Sequence, residues 1–116
     1  MWLITEEGFA SVVSHRDREG FLLVRARARR DLESLCRVAS EEGIEGFESD
    51  GIWEDPEADY RWRLEADQEA VAAVAAALVG RISYDNFKSR VGATDPDRER
   101  VYHAVWGDLL AIQHSA

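Results

Sequence analysis

The sequence is most regular in the stretch Phe21-Leu-Leu-Val-Arg-Ala-Arg-Ala-Arg-Arg30, where apolar and charged side chains alternate. Successive side chains of an extended chain point to opposite faces. The stretch therefore predicts a β-strand with one packed, apolar face and one solvated face that carries Arg25, Arg27 and Arg29.

A second stretch, Tyr60 to Glu65, has the same period. It places Tyr60, Trp62 and Leu64 on one side, and Arg61 and Arg63 alternate with them on the other. If the two predicted strands are neighbours in a sheet, one sheet face bears the arginines that we take as the main candidate binding site: Arg25, Arg27, Arg29, Arg61 and Arg63.

Two further strands complete the predicted sheet. Residues 1–15 predict one strand, bulged at Gly8, that forms a hairpin with the Phe21 strand, and residues 44–53 predict a short, irregular edge strand. A right-handed crossover that skips one place puts the Tyr60 strand between the Phe21 strand and this edge strand. The expected fold is α+β: a four-stranded antiparallel sheet with helices on one face. It corresponds to a ferredoxin-like plait with its last strand moved to the front, followed by C-terminal helices.

Three helices are each preceded by an aspartate that can act as N-cap: Asp31, Asp67 and Asp95. A short helical turn is predicted within residues 83–91. The last helix carries an apolar stripe formed by Val101, Val105, Leu109 and Ile112, which Tyr102, Trp106 and Leu110 widen.

Length and composition predict one globular domain over residues 1–116, with 46% hydrophobic and 32% charged residues. The single cysteine, Cys36, gives no sign of an oxidising compartment, and the longest uncharged apolar run, residues 70–80, is too short to cross a bilayer. We therefore expect a cytoplasmic protein with no membrane partner. The net charge of −9 comes from residues 41–59, which hold nine acidic residues and no basic one. Overall acidity disfavours non-specific nucleic-acid binding.

Several motifs give the chain a resemblance to a family of small uncharacterised bacterial proteins that are common in actinobacteria. They are Met1-Trp2 with Thr5, Arg25-Ala26-Arg27, Asp59-Tyr60 followed by Arg63, Tyr84-Asp85-Asn86-Phe87-Lys88-Ser89 and Val105-Trp106. The resemblance implies a single-domain protein, and no activity, cofactor or catalytic residue comes with it.

The arginine-bearing face is open to three interpretations. The arginines can be neutralised internally, by residues 41–59 or by Glu65. They can bind an acidic surface of a partner protein, including residues 41–59 of a second copy in a homodimer. They can also bind the phosphates of a nucleotide or nucleic acid, because the planar guanidinium donates two parallel hydrogen bonds.

The remaining candidates for chemistry are weaker. Tyr84, Asp85, Asn86 and Lys88 can surround a small ligand, although they can equally form a helix cap and a surface ion pair. Asp59 is a further secondary candidate. The aromatic residues are expected mainly in the core. Cys36 fits a buried apolar position better than a nucleophile. No catalytic residue, metal ligand or cofactor is assigned. The function expected is binding, through the arginine-bearing face, of a protein partner or a second copy. An enzyme or a phosphate-binding protein that uses the same arginines is the alternative.

Overall fold

The computed structural model describes residues 1–115. They form two compact units, Met1–Ile82 and residue 83 onward, and each is described by itself. That the whole chain forms a single domain stays a prediction. Over the described length, no helix has both the extent and the hydropathy that a membrane span requires.

The first unit is α+β and contains a five-stranded antiparallel sheet, one strand more than predicted. The strands are β1 (Trp2–Thr5), β2 (Gly8–Ser14), β3 (Phe21–Ala26), β4 (Trp53–Glu54) and β5 (Trp62–Asp67). Their order across the sheet is β1-β2-β3-β5-β4. The prediction that the Tyr60 strand lies between the Phe21 strand and the following edge strand is therefore confirmed.

The extra strand arises because residues 1–15 form a hairpin and not one bulged strand. Glu6 and Glu7 make the turn, and the Thr5 hydroxyl oxygen accepts the Glu7 backbone N–H at 3.1 Å. Gly8 has a φ of 131°, which side chains disfavour, so the glycine that suggested a bulge is the residue that leaves the turn.

Four helices are present in the described residues: α1 (Arg29–Glu41), α2 (Gln68–Gly80), α3 (Phe87–Gly92) and α4 (Pro96–Ser115). Asp67 caps α2 as predicted, because its carboxylate accepts the Ala70 N–H at 2.8 Å. Asp31 does not cap α1. The helix begins at Arg29, its N-cap Ala28 makes no side-chain hydrogen bond, and Asp31 lies inside the first turn.

The core lies between one face of the sheet and the helices α1 and α2. Alanine and branched aliphatic strand residues supply the sheet side: Ala10, Val12, Val24, Ala26, Leu64 and Ala66. The helices supply Leu32, Leu35, Ala39, Val71 and Val74. Both helices of this unit pack on that face, so none of its helices covers the other face, which we call the open face.

One buried carboxylate ties α1 to the sheet. Asp31 is 5% exposed and accepts the Phe9 backbone N–H at 3.0 Å. A Cβ built on Gly8 would lie 2.5 Å from the Asp31 Cγ, closer than side chains approach in folded proteins. Glycine at position 8 therefore allows both the positive φ and the approach of the carboxylate.

Replacing Gly8 with alanine should lower the free energy of unfolding by about 2 kcal/mol or more, because it adds backbone strain and displaces Asp31 from its donor. Urea denaturation measures the change. Gly80→Ala is the matched control, since Gly80 has no positive φ and nothing lies near its added methyl group. Equal stability of the two variants would contradict the prediction.

Candidate functional site

A single row of side chains crosses the open face through all five strands. The strand registers pair Trp2 with Ser11, Ser11 with Arg25, Arg25 with Arg63, and Arg63 with Trp53. Trp2 and Trp53 stand on the two edge strands, with exposed fractions of 61% and 42%. Two arginines in the centre of the sheet thus lie between two exposed indole rings.

Tyr60 is the point on which three arginines converge. The guanidinium carbons of Arg25 and Arg27 lie 4.7 and 4.4 Å from the centre of the Tyr60 ring, within cation–π range. Arg27 also donates to the Asp59 backbone oxygen at 2.6 Å, and Arg63 donates to the Tyr60 backbone oxygen at 3.3 Å. The segment before β5 therefore orients all three side chains.

The position of Tyr60 corrects the prediction that it points inward with Trp62 and Leu64. Strand β5 begins only at Trp62, so the alternation does not extend back to Tyr60. Its ring lies 6.2 Å from that of Phe9 on the open face, and the residue is only 6% exposed. Tyr60 is buried, but beneath arginines and not in the core.

Two of the five predicted arginines are placed differently from the other three. Arg29 is the first residue of α1 and lies 5.4 Å from the ring of Trp62, whose strand position faces the helices, so Arg29 does not share the open face. Arg61 forms an ion pair with Glu54. The structure brings together Arg25, Arg27 and Arg63, which we call the arginine cluster.

The arginine cluster has no acidic partner in the part of the chain that the structure describes. Within residues 1–115, no carboxylate lies within 4 Å of these three guanidinium groups. Arg25 donates to the Ser11 hydroxyl at 2.7 Å, and its Nε is buried without a hydrogen-bond partner. Neutralisation by residues 41–59 therefore extends to Arg61 and not to the cluster.

The opposite end of the open face is neutralised within the chain. The Asp17 and Arg18 N–H groups both donate to Nδ1 of His15, so the hydrogen of the neutral imidazole is on Nε2, which donates to Glu65 at 2.8 Å. Arg18 donates to the other Glu65 oxygen at 2.7 Å. The hydrogen bonds from His15 and then Arg18 hold the pKa of Glu65 below its usual range.

The secondary candidates lie in both units. Asp59 belongs to the first unit, where its carboxylate accepts the Tyr60 N–H at 2.8 Å. In the second unit, the side-chain amide oxygen of Asn86 (Oδ1) caps α3 by accepting a hydrogen bond from the Ser89 N–H at 2.9 Å. The Tyr84 ring lies 5.9 Å from that of Phe87. Nζ of Lys88 lies 3.3 Å from His103 Nδ1 and 4.0 Å from the centre of the Trp106 ring. Asp85 is exposed.

A cavity of about 560 Å³ lies beside α1. Cys36, Ile44 and Phe47 line it together with the carboxylates of Glu33 and Glu48. Burial, reinforced by those two carboxylates, raises the pKa of the Cys36 thiol to about 11. The thiolate is therefore scarce at neutral pH, which disfavours a nucleophilic role. Among residues 1–115, no three His, Cys, Asp or Glu side chains converge as metal ligands do.

The sequence analysis did not predict the two exposed tryptophans of the open face, Trp2 and Trp53. Both sides of β1 are apolar, because Trp2 and Ile4 alternate with Leu3, so period alone does not show which side is packed. Trp53 lies in a strand of only two residues. Trp106 is also exposed, at 55%. The expectation that the tryptophans fill the core is wrong for these three residues.

Comparison of the chain with protein-family models, curated proteins and solved structures finds no match. The geometry of the open face is therefore the feature of the molecule that points to a function.

Glu65→Gln should lower the free energy of unfolding at pH 7 by about 0.5–1 kcal/mol, because it removes the charge that His15 and Arg18 bind. The pKa of Glu65 is lower in the folded than in the unfolded chain. Its contribution is thus complete above the unfolded pKa and is lost as the pH falls through the folded one. Urea denaturation at decreasing pH should show the two proteins converging.

The matched control is Glu19→Gln, at an exposed position in the turn between β2 and β3. It should show no such pH dependence. A difference between Glu65→Gln and the native protein that stays constant down to acid unfolding would contradict the assignment.

Proposed function

We propose that the protein is a binding domain whose open face holds an acidic segment of a partner protein. The observation that carries the proposal is the arginine cluster, three guanidinium groups held in place around Tyr60 without a carboxylate of their own. A carboxylate from a partner would supply the missing negative charge and accept hydrogen bonds from the remaining guanidinium N–H groups.

The residue types of the face support a protein partner. Tryptophan, tyrosine and arginine are enriched among the residues that dominate binding energy at protein interfaces. The open face presents Trp2 and Trp53 at its edges, the arginine cluster in its centre and partly exposed apolar side chains around them, such as Val13 at 37%. A cationic centre surrounded by apolar side chains suits an acidic segment that also carries apolar side chains.

The cost of the arrangement is a second support. Arg25 and Arg63 lie directly opposite each other on adjacent strands, a like-charge pairing that destabilises a sheet by up to about 1 kcal/mol. Strand positions that face solvent accept many other residues. Keeping two cations opposed there is consistent with selection for binding and not for stability.

Phosphate is the second candidate ligand class, as a nucleotide or a single-stranded nucleic acid. It is favoured by the two exposed indole rings beside the arginines, because bases stack on such rings while arginine binds phosphate. The net charge of −9 opposes it, since the rest of the chain repels a polyanion. No reaction is proposed.

We also propose that the first unit is a permuted ferredoxin-like plait, which the strand order supports, and that the protein is cytoplasmic, which its single buried cysteine supports. Self-association through the open face is included as one form of partner binding.

The proposal predicts that Arg63→Glu weakens binding of a short glutamate- and leucine-rich peptide at least tenfold, because it reverses a central charge of the cluster. Trp53, 5.7 Å from the Arg63 guanidinium, reports binding through its fluorescence. The variant should fold at least as stably as the native chain, since the arginine pair becomes an opposite-charge pair.

Arg16→Glu is the matched control, because it makes the same charge change at an exposed position in the turn between β2 and β3, outside the arginine cluster. It should leave peptide binding within about twofold, a difference of less than 0.5 kcal/mol. Equal weakening by both variants would reduce the effect to net charge and contradict the site. Tighter binding of a single-stranded oligonucleotide, with a steep decrease as salt rises, would favour the phosphate candidate.

A further inference from the structure

The two edges of the sheet differ in how well they are protected against pairing with another strand. The β4 edge is two residues long and is followed by Asp55 and Pro56. Short length, charge and proline are the usual protections of an edge strand. Strand β1, at the other edge, has four residues and contains no charge and no proline.

The hydrogen-bond phase of β1 identifies which of its backbone groups face outward. The backbone groups of Met1 and Val12 exchange both hydrogen bonds, at 2.9 and 2.8 Å. In an antiparallel pair such residues alternate with pairs that exchange none. Leu3 therefore bonds to Ala10, whereas Trp2 and Ile4 direct their N–H and C=O groups away from β2.

Those outward groups have no strand beside them in the described residues, since β1 ends the sheet. Trp2 and Ile4, with Leu3 between them, both direct their backbone N–H and C=O groups outward. Two copies of β1 can therefore pair with each other in an antiparallel arrangement. In an antiparallel arrangement Trp2 of one copy can lie opposite Ile4 of another, and the second such pair follows by symmetry.

We propose that β1 pairs with β1 of a second copy of the chain about a twofold axis beside Leu3. This register makes four backbone hydrogen bonds, two for each pairing of Trp2 with Ile4. A shift of the register by two residues leaves one hydrogen-bonded pair of β1 residues, so this register is the best available. Ten strands then form one sheet.

The side chains fit the same register. On the open face, Trp2, which is 61% exposed, meets Ile4 of the other copy, and an aromatic ring beside a β-branched side chain is a favourable cross-strand pair. On the helix side, Leu3 meets Leu3. A foreign strand would satisfy the hydrogen bonds, but the twofold match of both faces commits the edge to a second copy.

The dimer depends on the backbone edge of the sheet and not on the arginine cluster, although Trp2 belongs to both contact surfaces. The two interactions also respond oppositely to salt. Each copy carries a net charge of −9, so screening should strengthen the dimer, whereas it should weaken binding of an acidic peptide to the cluster.

Disulfide trapping tests the register. Residues opposite each other in a pair without hydrogen bonds have Cα atoms about 4.5 Å apart, which suits a disulfide. Under mild oxidation Leu3→Cys should give a covalent dimer joined through position 3, seen on a non-reducing gel and located by mass spectrometry. Thr5→Cys, on the same strand and face, should stay monomeric, because the twofold axis separates its two copies.

A second measurement does not depend on how cysteine is tolerated at position 3. The N–H of Ile4 points outward, so Ile4→Pro removes two of the four hydrogen bonds of the dimer, one from each copy, and none of the ladder with β2. Sedimentation should show a reversible dimer for the native chain and at least tenfold weaker association for Ile4→Pro, with an unchanged circular dichroism spectrum.

Three results would overturn the proposal. They are a native chain that remains monomeric at all concentrations and salt conditions, cross-linking of Thr5→Cys as complete as that of Leu3→Cys, and undiminished association of Ile4→Pro. The first would leave the β1 edge to a strand of a different protein. Peptide binding at the arginine cluster is measured separately, and none of these three results would decide it.

Discussion

The antiparallel ladder between β3 and β5 is the constraint on which the rest of the structure depends. Its register, Phe21 opposite Asp67 through Ala26 opposite Trp62, puts Val24 and Leu64 together beneath the helices and Arg25 and Arg63 together on the open face. A shift by one residue would turn every side chain of the strand over, burying arginines and exposing the core. The apolar pairs thus fix a register that also puts two like charges at directly opposite positions.

Much of the fold follows from local pattern. The alternation in β3 and β5 predicted both strands, and the aspartate before α2 predicted the start of that helix, because these signals lie in the residues concerned. The pairing of β3 with β5 was predicted from the right-handed crossover rule. The pattern misled where it continued past the end of an element. Arg27, Ala28 and Arg29 keep the period of a strand, yet α1 begins at Arg29, and Ala28 offers no capping side chain that would mark the start. Tyr60 fits the period of β5 but precedes the strand.

The candidate site was predictable only in part for the same reason. Alternation gave the side on which Arg25 and Arg63 lie. Which arginines have acidic partners depends on contacts between distant segments, such as Glu54 with Arg61, and on the turn that brings Asp59 and Tyr60 back over the sheet. Tryptophan is the residue that sequence reasoning assigns most readily to a core, so two indole rings at opposite sheet edges could be recognised only once the strand order was known.

The connectivity of the sheet has a consequence for how the chain reaches its native state. The pairs β1–β2, β2–β3 and β4–β5 join strands that are neighbours in the sequence, whereas β3 and β5 meet only after residues 27–61 have been looped out. Closing that loop costs chain entropy before Val24 and Leu64 return any contact energy. We therefore expect the central ladder to form more slowly than the hairpins.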